Sequence, residues 1–190
     1  MGGSDCDGDR DRAPRGSAPH GGPNGQHEPS RWHARRGPVG EIDGSPELVW
    51  AVLTDLTLYQ VWNPFLSPVE GELRPGSHLQ VTMHTGSHVA SYQATVLQVE
   101  RNLVLSWSGE VLSSGVYDTT YSFSIEPLRQ GRVRLVSRET RRGLAPVVEW
   151  LLGSDIQGGL DAMTRSARNR VELLRLSGGW WRQPTSYSTR

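Results

Sequence analysis

From Val69 to Glu139 the chain reads as six successive strand segments, and after Pro146 the hydrophobic period changes from two to about 3.6. That switch constrains the fold more than any other feature. Leu79, Val81 and Met83 alternate with Gln80, Thr82 and His84, and Leu105 and Trp107 repeat the pattern. Tyr117, Thr119, Tyr121, Phe123 and Ile125 share one face, as do Val133, Leu135, Ser137 and Glu139. The links are short: Arg74-Pro75-Gly76, Thr85-Gly86-Ser87, Arg101-Asn102, Ser113-Ser114-Gly115 and Gln130-Gly131. Links of that length join neighbours and leave no room for crossovers, so the strands form an antiparallel meander. Beyond it, Ile156, Leu160, Met163, Ala167, Val171 and Leu174 recur at spacings of three and four, which predicts one long amphipathic helix. Gly158-Gly159 inside that helix costs about 1 kcal/mol per glycine relative to Ala. A close approach to the sheet, or a break, would explain it. Ser177-Gly178-Gly179 ends the helix.

The segments before the meander complete the pattern. Val39 to Ile42 reads as a first strand. Ser45-Pro46-Glu47 is a helix start, with Ser as N-cap, Pro at the first helical position and an acid in the first turn. Leu48, Val49, Val52 and Leu53 give that helix an apolar stripe, flanked by Trp50, and Asp55 to Tyr59 continues or restarts a turn. Tyr59 to Leu66 is an aromatic-rich connection in which Asn63-Pro64 breaks the helix. A strand, a short helix, a meander and one long closing helix describe an α+β fold. Its sheet wraps around a helix and leaves an internal cavity, the kind of space that takes small apolar molecules.

Composition removes several classes of chemistry. The formal net charge is zero, which argues against a nucleic-acid footprint. All 20 basic residues are Arg, so no lysine can form a Schiff base, act as a general base or cradle a phosphate. The one cysteine, Cys6, sits in a polar N-terminal stretch, which leaves no disulfide framework and no cysteine-rich zinc site. No segment has the roughly 18 consecutive apolar residues of a membrane span, and no signal-peptide core is visible. These features predict a soluble, cytoplasmic protein. Residues 1–36 are nearly free of aliphatic side chains and are expected to be disordered, since they cannot offset their ordering entropy. The domain is expected over 37–176, with a C-terminal tail at 177–190 that carries Trp180 and Trp181.

The Ser45-Pro46-Glu47-Leu48-Val49-Trp50 helix start, Trp62-Asn63-Pro64-Phe65, Arg101 to Trp107, the Gly115 to Phe123 strand, and Glu139 followed by Gly143-Leu144 together resemble the START-like polyketide cyclase/dehydrase superfamily, also called SRPBCC. The resemblance covers about Val39 to Leu176. It implies the helix-grip fold, with a cavity for a lipid-like or polyketide-like molecule. It does not choose among the family's lipid carriers, receptors, aromatic cyclases, ring-hydroxylating subunits and chaperone activators. No iron-site His/His/Asp pattern is present, no cofactor is implied, and the oligomeric state stays open.

Several side chains are candidates for a site. Glu139 shares a face with Val133 and Leu135. A carboxylate in an apolar pocket can move protons, whereas an ion pair with Arg138, Arg141 or Arg142 would make it structural. Tyr117 and Tyr121 can orient a ligand carbonyl through their hydroxyls, or pack as core residues with satisfied hydroxyls. Tyr121 fits packing better, and Tyr117, nearer the strand end, fits ligand contact. Trp62 and Trp107 are flat walls suited to an aromatic or polyene ligand, or else plugs of the core. Asn63 can hydrogen-bond a ligand or serve the turn before Pro64. His78, His84 and His88 follow no known metal spacing and are expected as surface residues, so no metal site is expected. Three functions remain: a carrier or sensor of an apolar molecule, a cyclase or dehydratase using Glu139 and tyrosine hydroxyls, and a protein-interaction module. Polar groups deep in the cavity would favour the enzyme, and a wholly apolar cavity the carrier. A filled cavity beside an exposed apolar patch would favour the interaction module.

Overall fold

Alternation along most of the strands puts their buried side chains on one face, and the computed structural model curls that face inward. It describes residues 33–86, 88–110, 117–143 and 155–177, with side chains left out at 33–37, 110, 117, 142 and 143. Strands β1 (His33–Asp43), β2 (Leu66–Gly71), β3 (His78–Thr85), β4 (His88–Glu100), β5 (Val104–Glu110), β6 (Tyr117–Pro127) and β7 (Arg132–Gly143) form one antiparallel sheet. Its order is β1-β7-β6-β5-β4-β3-β2, a meander from β2 to β7 closed by β1. The sheet is a half-barrel, and the C-terminal helix lies in its grip. The expected α+β helix-grip architecture is what the chain adopts.

Helix α1 (Pro46–Thr54) starts as its sequence requires. The Ser45 hydroxyl accepts from the Leu48 amide at 3.3 Å, and Pro46 takes a first-turn position where no amide donor is needed. Leu48, Val49, Val52 and Leu53 are its buried face. A single 3-10 turn at Leu56–Leu58 leads into the short α2 (Tyr59–Trp62). Asn63 ends it, its carboxamide oxygen accepting from the amides of Phe65 and Leu66, each at 3.0 Å. Those bonds turn the chain into β2.

Helix α3 (Ile156–Leu176) buries Ile156, Leu160, Met163, Ala167 and Val171, the face anticipated from the spacing, together with Thr164. It packs on β1 and α1 and reaches β3 and β7 across the concave side of the sheet. The two glycines have separate reasons. A Cβ at Gly159 would collide with the edge of the Phe65 ring, so the missing side chain lets the helix close on the segment before β2. A Cβ at Gly158 would collide with the Asp155 carboxylate, which accepts from the Gly158 amide at 2.8 Å and caps the helix.

Two strand boundaries differ from the sequence reading. β2 begins at Leu66 and not Val69, because the Asn63 turn delivers an extended chain directly onto β3. β1 runs from His33 to Asp43, where the sequence reading had a first strand over Val39 to Ile42. Its first residues pair with β7 in the register His33–Arg141, Ala34–Thr140, Arg35–Glu139 and Arg36–Arg138. Backbone pairing carries the strand into a stretch whose one apolar residue is Ala34. The expectations for residues 1–32 and 178–190, the Ser113-Ser114-Gly115 turn and the step at Leu144 lie outside the described residues.

Candidate functional site

The inner face of β7 runs Val133, Leu135, Ser137, Glu139, Arg141, all buried, and so passes from apolar to polar along one strand. Register carries this gradient across the sheet. Leu105, Phe123 and Ser137 form one transverse row, Trp107, Tyr121 and Glu139 the next, and Gly109, Thr119 and Arg141 the third. The polar end therefore gathers residues from β5, β6 and β7.

Glu139 is 1% exposed and Arg141 4%. The Arg141 Nε donates to Glu139 Oε2 at 2.7 Å and its Nη2 donates to the same oxygen, while the Thr119 hydroxyl donates to Oε1 at 3.2 Å. Both carboxylate oxygens are thus engaged. Of the three arginines proposed as partners for Glu139, Arg141 pairs with it, while the Arg142 side chain lies outside those described. An ion pair this deep recovers its desolvation cost only with close geometry and further hydrogen bonds, which Thr119 helps to supply. The Ser137 and Thr164 hydroxyls, 3.0 Å apart, tie the same strand to α3.

Tyr92, on β4, joins this end from the side. A Cβ on Gly109 would overlap its ring, so the glycine makes room for the phenol to lie over β5. Burial pushes the Tyr92 phenol well above its ordinary range, and the nearby Glu139 charge adds to the effect. The Trp107 indole acts in the opposite sense, near enough to favour the phenolate without completing a hydrogen bond to it. The Tyr92 hydroxyl and the Trp107 Nε1 are both buried, and neither has a hydrogen-bond partner.

The other sequence candidates fall at different places. Trp107 and Tyr121 are fully buried in the expected phase. Trp107 packs against Phe123 with ring centroids 5.3 Å apart, and Tyr121 stands edge-on to Phe65 at 6.1 Å. The Tyr121 hydroxyl reaches the Met83 sulfur on β3 at 3.5 Å, which links the two sides of the half-barrel. Trp62 is half-buried at the end of α2, edge-on to Tyr59 at 5.0 Å. Asn63 is buried; its oxygen serves the turn while its Nδ2 has no partner. The side chain of Tyr117 lies outside the described residues. His78 bonds the Thr95 hydroxyl at 3.4 Å and His88 is exposed, whereas His84 is half-buried, its Nε2 2.7 Å from the Ser67 carbonyl oxygen, and so is not the surface residue expected. Sequence reasoning missed Tyr92. The signal was the alternation Tyr92, Ala94, Val96, which puts the tyrosine on the inner face.

The model of the family described as polyketide cyclase / dehydrase and lipid transport matches residues 39–168, and the chain belongs to that family. No sequence among curated proteins matches it. Among solved structures, the Zhui aromatase/cyclase from Streptomyces sp. R1128 superposes with a TM-score of 0.62 at 16% identity, over 78% of this chain and 98% of its own. Norcoclaurine synthase from Thalictrum flavum, in complex with dopamine and hydroxybenzaldehyde, gives 0.60 at 13%, over 76% and 88%. The Staphylococcus aureus protein SA2116 gives 0.57 at 10%, over 77% and 98%. At these identities the likeness is one of fold.

Proposed function

We propose that this member of the polyketide cyclase / dehydrase and lipid transport family binds a small, largely apolar molecule within the grip of its sheet. One observation carries the reading: the inner face is apolar along most of its length and ends in a buried polar group of Thr119, Glu139 and Arg141. A packed core gains little from an ion pair placed there, since an apolar replacement of similar volume is often as stable. A ligand with an apolar body and one polar end uses both halves of such a face. Trp107 and Tyr121 line the ligand's path, with Trp62, Asn63 and Tyr117 as further contacts.

A cyclase or dehydratase is the second reading, favoured by the buried carboxylate of Glu139 within electrostatic reach of the Tyr92 phenol. In that reading Glu139 takes a proton from carbon and tyrosine hydroxyls hold the oxygen that gains charge. Titration with Nile red tests the binding reading: saturable one-to-one binding to the folded protein is expected, and its absence would overturn the proposal. Glu139→Gln then separates the two functions. In protein whose fold is first verified by circular dichroism, since the substitution leaves buried Arg141 without its counter-charge, a carrier keeps its Nile red affinity and has no turnover to lose, whereas a cyclase loses about 10²–10⁴-fold in turnover.

A further inference from the structure

We infer that the C-terminal end of helix α3, with the stretch that follows it, docks on the headgroup region of an anionic lipid bilayer. The inference concerns the outside of the molecule and goes beyond the reading of its interior. Leu173 and Leu176 lie one turn apart on α3 and are 58% and 77% exposed. Their neighbours Val171 and Leu174 turn inward and serve the core, so the packing of the helix is complete without the two exposed leucines. The chain continues past Ser177 as Gly178-Gly179-Trp180-Trp181-Arg182, which sets a tryptophan pair within five positions of Leu176 in the sequence.

Positive charge is concentrated at the same end. From Ala162 to Arg190 the sequence holds six arginines and one acid, Glu172, although 20 arginines are balanced by 20 acids over the whole chain. Glu172 is already paired with Arg168 at 2.8 Å. Arg175 is exposed and stands between the two leucines in the last turn. Leucine and tryptophan interleaved with arginine is the mixture that a bilayer surface takes up. The apolar side chains enter the headgroup boundary, indoles settle at its polar edge, and guanidinium groups meet the lipid phosphates. Other occupants match only half of this surface. A second copy would cover the leucines but bring two arginine clusters together. The tail folded back on the helix would cover them and add the charge of Arg182 and Arg190. A nucleic acid would pair with the arginines and leave the leucines in water.

Flotation of the full chain with lipid vesicles tests this, using phosphatidylcholine alone or an equal mixture with phosphatidylglycerol. Partitioning onto the mixed vesicles should be at least about tenfold stronger, since each arginine near an anionic surface contributes a factor of about five. Raising the salt to about 0.5 M should remove most of that difference. Leu173→Gln/Leu176→Gln alters exposed side chains, so it should keep the wild-type circular dichroism and melting, and should lose about tenfold in partitioning onto the mixed vesicles. Trp180→Ser/Trp181→Ser should lose a similar factor. Absence of vesicle binding, equal binding to both vesicles, or binding unchanged in the leucine variant would each overturn the inference. So would a concentration-dependent dimer that the leucine variant abolishes, or tighter binding of duplex DNA than of the mixed vesicles. Stronger vesicle binding in the tryptophan variant would overturn it as well, because the pair would then be covering the leucines instead of joining them.

Discussion

Glu139 and Arg141 sit two residues apart on one strand, point the same way and meet in the interior. Removing one charge strands the other. Arg141→Met should cost about 3–5 kcal/mol in urea unfolding. The double substitution Glu139→Met/Arg141→Met should be less destabilised than Arg141→Met alone, because it leaves no unpaired charge. A second residue-level consequence concerns alkaline pH. Burial raises the phenol pKa of Tyr59, whose hydroxyl donates to the Leu53 carbonyl at 2.7 Å, and that of Tyr92. A raised folded-state pKa contributes stability that is complete below the unfolded value of 10.0 and is lost as pH climbs toward the folded value. The unfolded chain then binds fewer protons than the folded one, so stability falls with pH. With no lysine in the chain, the usual competing titration is missing. Stability should drop by about 1.4 kcal/mol per pH unit for each of these two tyrosines above roughly pH 10. Tyr59→Phe should remove one share of that slope in denaturant titrations between pH 9 and 12.

Helix α3 shows how far a spacing argument reaches. Leu160 is buried and Arg168 is exposed, paired with Glu172 four residues on at 2.8 Å. Leu160→Asp should abolish cooperative unfolding, because it buries an unpaired charge. Arg168→Ala should move stability by no more than about 0.5 kcal/mol in the same melts. Equal effects would mean that the helix is rotated from the phase described. Gly159→Ala is a sharper test. Helix propensity favours alanine by about 1 kcal/mol, yet the new methyl would intrude on the Phe65 ring. Overpacking of that kind costs typically 1–3 kcal/mol, so thermal melting should show a net loss. A gain would mean that Phe65 moves aside freely.

For the molecule as a whole, the half-barrel is closed at one edge by β1, and its first four residues border the polar end of the inner face through the pairs Arg35–Glu139 and His33–Arg141. A chain starting at His33 should therefore melt within a few degrees of the full chain. One starting at Gly37 should melt lower, since it loses those backbone pairs beside the buried ion pair. Equal melting of the two would show that the extension of β1 is dispensable, as its composition suggests. The meander, the N-capped first helix and the buried face of α3 were legible from local signals, because alternation, capping residues and 3.6-residue spacing each act over a few neighbours. So was the inward phase of Trp107, Tyr121 and Glu139, since the side-chain period of a strand is two. What local signals lacked was the partner of each group. Arg141 was one of three nearby arginines until the sheet placed it and Thr119 on the same side as Glu139. Tyr92 looked like an ordinary strand residue until curvature and the bare backbone of Gly109 brought its ring over β5 beside Trp107. The sequence by itself determined which face of each element is buried, because burial follows periodicity. Only the tertiary structure decided which buried polar groups meet and which stay without partners, because those contacts join strands far apart in the chain and depend on register and curl.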